Sequence, residues 1–242
     1  MKFLSNYLLF IYLSALVMFA IYDTFLVKRE PESAIVKLQK VEAWTKPHNK
    51  VISTNAKKVE FSNLIIPAID RVHSELEAQY NEIAQNLTNP KYVEKILILK
   101  KIYKAESDEE LLMALKPHPK SIAIAQAAIE SAWAKSRFFK EANNLYGIWS
   151  VNKNKPRIAA SEQRGENVIW LKKYPSIEDS IRDYYKTLAR SKAYKDFREL
   201  KMQTDDPYLL VEKLQNYSEI GEKYADDLTK IIRYNKLYIY DE

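Results

Sequence analysis

A mainly α-helical protein with one small β-hairpin is the fold class this sequence predicts, and three observations predict it. Glycine is scarce, 3 in 242 residues, while Ala, Leu, Lys, Glu and Ile dominate, a composition that favours helix. Apolar residues recur at three-to-four spacing in several stretches beyond residue 60. Between residues 157 and 174 that period gives way to two short β-type runs about a Gly-containing turn. With 47% hydrophobic and 29% charged residues the bulk is globular, and 242 residues suffice for one domain with a core plus appendages.

The elements follow in order. Phe3 to Tyr22 holds no charged residue, and its roughly 20 residues match what a bilayer core requires. Lys2 precedes this segment and Lys28-Arg29 follow it, while Phe19-Ala20-Ile21 offers only a poor cleavage site. Residues 1–27 therefore read as a retained signal anchor rather than a cleaved signal peptide. Residues 28–60, with Pro31 and Pro47, read as a juxtamembrane linker with some helix. Residues 61–116 form a helical preface. Its first helix carries Phe61, Ile65, Ile69, Val72, Leu76, Tyr80, Ile83 and Leu87 on one face, with Pro67 near its start. Asn89-Pro90 supplies an N-cap and first helical position for a second helix, and Ser107 with Glu110 forms a capping-box pattern for a third. Pro117 and Pro119 then break the chain.

Residues 117–242 make up the last domain. A helix is expected from about Lys120 to Ala134, with Ile122, Ala125, Ile129 and Trp133 as its buried stripe. A loop-rich stretch follows to Ser150. The hairpin comprises Arg157–Ser161, a turn at Arg164-Gly165-Glu166-Asn167, and Val168–Tyr174. Helical periodicity returns at Ser176–Arg190, Pro207–Leu214 and Ala225–Leu237. Gly147 and Gly165 fall where turns need positive φ. Trp133 and Trp170 read as core.

Composition excludes several chemistries. Without cysteine there are no disulfides, thiolate metal sites or thiol nucleophile. His48, His73 and His118 lie far apart without ligand spacing, and no phosphate-binding Gly loop or calcium-type acidic cluster is present, so no metal and no cofactor are expected. The net charge of +6 suits an anionic partner, but the basic residues are dispersed without a nucleic-acid-binding motif, so nucleic acid is not expected.

Glu130 is the candidate catalytic residue. A helix sets it beside Gln126, Ala127 and Ala134, among small side chains next to the Ile/Trp stripe. A carboxyl so placed is partly desolvated and still reachable, which raises its pKa and suits a general acid. Periodicity alone would make it an ordinary surface carboxylate. The wording around it is more specific. Ala125-Gln126-Ala127-Ala128-Ile129-Glu130-Ser131-Ala132-Trp133-Ala134, then Ser136-Arg137-Phe138 and Asn143-Asn144-Leu145-Tyr146-Gly147, resembles the family-73 glycoside hydrolases, endo-β-N-acetylglucosaminidases of flagellar and autolysin type, most closely their Bax-like branch. Ala134 stands where that family usually has Gly, so a non-positive φ is expected there, and Tyr146 stands for its usual Phe. Lys173-Tyr174-Pro175-Ser176 with Ser180 and Tyr184, Ala193-Tyr194 with Phe197, and Tyr217-Ser218 through Tyr224-Ala225 to Ile232 extend the likeness over roughly residues 118–237.

The resemblance implies a lysozyme-like α+β fold, a two-lobed domain whose groove binds peptidoglycan glycan strands. It implies Glu130 as acid and a second carboxylate on the hairpin, Glu162 or, in the turn, Glu166, with Glu162 favoured. Assistance by the substrate's own N-acetyl group is the alternative to either. It further implies Tyr217 in the groove, with Asn144, Tyr146, Trp149 and Tyr224 contacting substrate. An enzyme of this kind would face the periplasm from an inner-membrane anchor through residues 3–22. Two other readings stay open, a lytic transglycosylase and a non-catalytic wall-binding scaffold.

Overall fold

The computed structural model describes residues 47–164, 167–218 and 221–242, with side chains from residue 56 onward except 161–167. The apolar segment 3–22 lies outside the described residues, as do Gly165 and Glu166. Among the described residues no helix is long and apolar enough to cross a membrane.

Helix α1 (Pro47–Gln85) is 39 residues long, about 58 Å at the usual rise. It starts inside the expected linker, so Pro67 stands in its interior rather than near its beginning. An interior proline costs about 3 kcal/mol. The apolar face around it offsets that cost, because Phe61, Ile65, Ile69 and Val72 are all buried in the main core. Asn89 caps the next segment as expected, its side chain accepting from Lys91 N at 3.1 Å; a 3-10 turn (Pro90–Tyr92) then leads into α2 (Val93–Tyr103). Ser107 caps α3 (Asp108–Leu115) by accepting from Glu110 N at 3.1 Å. The Glu110 carboxylate reaches back one residue further than a standard capping box, to Glu106 N at 2.8 Å.

Helix α4 (Lys120–Glu130) is the centre of the molecule, with every residue from Ser121 to Ala128 buried. Its alanines let α1 and α9 (Glu222–Tyr234) pack closely against it, and α6 (Ile177–Arg190) reaches it through the Tyr184 side chain. Ser176 caps α6 through a bond from Asp179 N at 3.1 Å, and Ile181, Tyr184, Tyr185 and Leu188 form its inner face, as their spacing predicts. The remaining helices are α5 (Arg137–Ala142), α7 (Lys195–Leu200) and α8 (Pro207–Val211), the last continued by a 3-10 turn, Glu212–Tyr217. The chain closes with a 3-10 turn, Leu237–Tyr240.

The main core crosses the expected boundary at residue 116, since α1 contributes to it directly. A smaller cluster of Ile83, Ile96, Leu99, Leu111 and Leu115 joins α1, α2 and α3.

The hairpin pairs β1 (Arg157–Arg164) antiparallel with β2 (Asn167–Lys172). Its register is irregular between Ala159, opposite Trp170, and Gln163, opposite Val168. Residues 160–162 therefore bulge against a single residue of β2. Trp170 is only partly buried and receives the Arg157 guanidinium over its ring at 4.0 Å, so it is a hairpin residue rather than a core one.

Candidate active site

Helix α4 ends at Glu130, four residues short of the end its periodicity predicts, because the chain reverses hand. Ala132, Trp133 and Ala134 have φ of 50°, 58° and 61°. The expectation of a non-positive φ at Ala134 is thus overturned. Left-handed backbone costs an L-residue about 1–2 kcal/mol, and three in succession need outside support. Ser131 supplies part of it: its buried hydroxyl donates to Ala127 O at 2.6 Å and accepts from Ala134 N at 2.8 Å. Trp133 N donates to Ala128 O at 2.9 Å, and the indole packs edge-on against Phe61 at 5.2 Å. Trp133 is partly buried, against the core rather than inside it.

This reversal leaves Glu130 as the final helical residue, at the negative pole of α4. The residue is partly exposed, yet burial pushes its carboxyl pKa from 4.5 up to about 7, and a hydrogen bond from Tyr224 draws it partly back. Tyr224 on α9 donates to Glu130 Oε1 at 2.9 Å. Tyr217 stacks on Tyr224 with centroids 5.6 Å apart and planes at 8°, and its hydroxyl donates to Tyr146 O at 3.3 Å. Burial, and then the Glu130 charge, hold both phenols well above their ordinary range. Gly147 has φ +64°, as expected of its turn, and a Cβ there would lie 3.8 Å from Glu130 Oε2. That oxygen faces the space a side chain would otherwise fill.

Glu130, Tyr217 and Tyr224 thus meet in one place. Three expected substrate contacts do not line a surface, Tyr224, 1% exposed beneath Glu130, among them. Asn144 is 1% exposed and braces the turn that carries Gly147: its amide donates to Ile148 O and to Lys172 O of β2, both at 2.9 Å, and accepts from Ile148 N at 2.9 Å. Tyr146 is 2% exposed, stacked on Tyr184 at 3.8 Å and directed at Ala123 O, 3.4 Å away. The family's usual Phe at this position agrees with a packing role. Trp149 is partly exposed and bridges to Leu171, extending the sheet beside the site. Glu162 lies on β1 within the bulge; its side chain, and Glu166 altogether, lie outside the described residues.

Three contributors had no role in the sequence reading: Ser131, Gln126 and Tyr184. Gln126 had a visible signal, as the one amide in a helix segment otherwise of Ala, Ile and Ser, four residues before Glu130. Among the described residues no group of three or more His, Asp or Glu could hold a metal ion.

Comparison with known proteins follows this geometry. The family model described as glucosaminidase, mannosyl-glycoprotein endo-beta-N-acetylglucosaminidase, matches residues 110–237. Solved structures to which the chain is similar include the catalytic domain of the autolysin Auto from Listeria monocytogenes, 25% identical over 59% of this chain and 87% of that one, TM-score 0.44. A peptidoglycan hydrolase from Sphingomonas sp. A1 is 23% identical over 58% of this chain and 92% of that one, TM-score 0.42. The glycoside hydrolase domain of FlgJ from Salmonella typhimurium is 22% identical over 57% and 87%, TM-score 0.40. No curated protein matches the chain. The matched sequence covers just over half of the length and includes Glu130, Tyr217 and Tyr224, so the chain belongs to the glucosaminidase family and is a glycoside hydrolase.

Proposed function

We propose that the protein is a peptidoglycan hydrolase, an endo-β-N-acetylglucosaminidase of the Bax-like branch that cuts the glycan backbone with Glu130 as general acid. The observation that carries this reading is the Glu130 carboxyl: sheltered at the end of a buried helix, held on one oxygen by Tyr224, open on the other beside Gly147, and protonated up to about pH 7. A carboxylic acid in that state protonates the glycosidic oxygen as the bond to the anomeric carbon breaks, and the sugar passes through an oxocarbenium-like transition state. Positive charge then developing on the sugar is stabilised by the newly ionised Glu130 beside it.

The reading assigns the second carboxylate to Glu162, whose position in the β-bulge frees it from the face alternation of a regular strand. Substrate assistance by the N-acetyl group remains the competing route. Tyr217, against the stacked Tyr224, would orient the acetamido group or the attacking water. Anchoring through residues 3–22 would hold the enzyme at the inner membrane facing the periplasm, and the net charge of +6 suits an anionic wall polymer.

Digestion of purified peptidoglycan by wild type beside Glu130→Gln, with products read by mass spectrometry, tests the proposal. Reducing-end N-acetylglucosamine products, absent with the variant, support it. Anhydro-sugar ends would instead assign a lytic transglycosylase, and binding without cleavage would assign a wall-binding scaffold.

A further inference from the structure

The hydrogen bonds beneath Glu130 run in single file. Tyr184 on α6 donates to Gln126 Oε1 at 2.5 Å, Gln126 Nε2 donates to Tyr224 OH at 3.0 Å, and Tyr224 OH donates to Glu130 Oε1 at 2.9 Å. Tyr184, Gln126 and Tyr224 are at most 1% exposed, so water does not substitute for any of these partners.

The direction of the file follows from its far end. Tyr184 OH has one hydrogen-bond partner among the described residues, the Gln126 amide. Turning that amide over would present Nε2 to Tyr184 and leave the Tyr184 proton buried without an acceptor. With Oε1 held by Tyr184, Nε2 must point at Tyr224. Tyr224, supplied with a donor from below, directs its own proton up to Glu130 Oε1. That oxygen is committed as an acceptor in both protonation states. Oε2 has no hydrogen bond among the described residues and faces the gap over Gly147.

We propose that Gln126 and Tyr184 are positioning residues that fix the polarity of this chain and so confine the transferable proton to Glu130 Oε2, the oxygen open to substrate. This rests on Glu130 being the acid. Neither the Gln126 nor the Tyr184 side chain hydrogen-bonds to Glu130; both act on its carboxyl through Tyr224. Among the described residues, the titratable groups facing Glu130 are Tyr224 from α9 and Tyr217 from the 3-10 turn after α8.

The consequence is a particular pH signature. In wild type the donated bond favours the carboxylate. When Gln126 is replaced by Met, Tyr224 is free to rotate and accept a proton from Oε1, which stabilises the protonated acid. The proton is then shared between a productive and an unproductive oxygen, and the acid is weaker.

The experiment is carried out on the full chain, comparing wild type with Gln126→Met, Tyr184→Phe and Glu130→Gln. It reads kcat and KM on soluble peptidoglycan fragments across pH, together with a carbon-13 NMR titration of the Glu130 carboxyl, identified by its loss in Glu130→Gln. Gln126→Met is expected to move the alkaline limb and the Glu130 titration up by about one pH unit. Its kcat is expected to fall roughly 3- to 10-fold while KM holds. Tyr184→Phe keeps its ring on Tyr146 and moves both readouts the same way by a smaller amount, which covers the case in which Gln126→Met fails to fold. An unmoved titration in Tyr184→Phe, or activity lost only in proportion to folded protein, overturns the proposal and makes the chain ordinary core packing. Full activity in Glu130→Gln would instead overturn the assignment of the acid itself.

Discussion

Glu130→Gln should make the protein more stable, and only above a definite pH. In the folded protein burial raises the carboxyl pKa from 4.5 to about 7, whereas in the unfolded chain it ionises near its ordinary value. Below pH 4.5 both states hold the proton and the side chain is neutral on folding. Between 4.5 and 7 the unfolded state releases its proton while the native state keeps it, so stability falls as pH rises. Above 7 the loss is complete. A gap of about 2.5 pH units at about 1.4 kcal/mol per unit sets its scale near 3 kcal/mol. Glutamine has the same shape, keeps an oxygen for the Tyr224 hydroxyl and never ionises. Relative to wild type it should gain about 2–3 kcal/mol at pH 8, or roughly 5–10 °C in Tm, and close to nothing at pH 4. Thermal melts of both proteins by circular dichroism at pH 4, 6 and 8 measure this difference directly. A gain independent of pH, or no gain at pH 8, would refute the reasoning. On the proposed role of Glu130 the same substitution is expected to remove activity, which would set stability against catalysis at this residue.

Three further substitutions test the scaffold. Asn144→Ala leaves Ile148 N without its partner and removes the amide bonds to Lys172 O and to Ile148 O, the latter still accepting from Lys172 N, and should cost about 2 kcal/mol, seen as a lower Tm and faster amide exchange in residues 144–150 and 167–172. Ala134→Gly relieves a φ of 61° worth about 1–2 kcal/mol but adds unfolded-chain entropy of about 0.4–1 kcal/mol, so Tm should rise by about 1–3 °C; a fall would show that the turn is unstrained. Glycine at Ala123, inside α4, should instead lower Tm.

Much of the architecture was legible because its signals are local. The inner face of α6 could be read from Ile181, Tyr184, Tyr185 and Leu188 alone, since side chains three and four apart share a helix face. Asn89 and Ser107 mark helix starts because their side chains satisfy backbone donors two or three residues away. The proposed acid stood out through the ordered pair of motifs around Glu130 and Gly147, whose spacing reflects two short segments meeting at one point.

What failed did so where distant partners overrode local preference. Helical spacing carries α4 on to Ala134, but Ser131, Trp133 and Phe61 together hold a left-handed turn that alanine would not choose. Pro67 looks like the first turn of a helix; packing of Phe61, Ile65 and Ile69 keeps the helix running through it. Asn144 and Tyr146 have the chemistry of sugar-binding residues and lie in the right motif, yet burial turns one into a brace and the other into a packing surface.

The sequence by itself determined the helical class, the place of the hairpin and the family, and it singled out Glu130 as the proposed acid, because each is written in short-range periodicity or contiguous motif. Only the tertiary structure decided how that acid is set. The pKa of Glu130 depends on what α9 and the Gly147 turn exclude from around it, and the direction of its hydrogen bonds depends on Tyr184, 54 residues further along the chain. Desolvation and hydrogen-bond polarity are properties of assembled neighbours, and no single segment carries them.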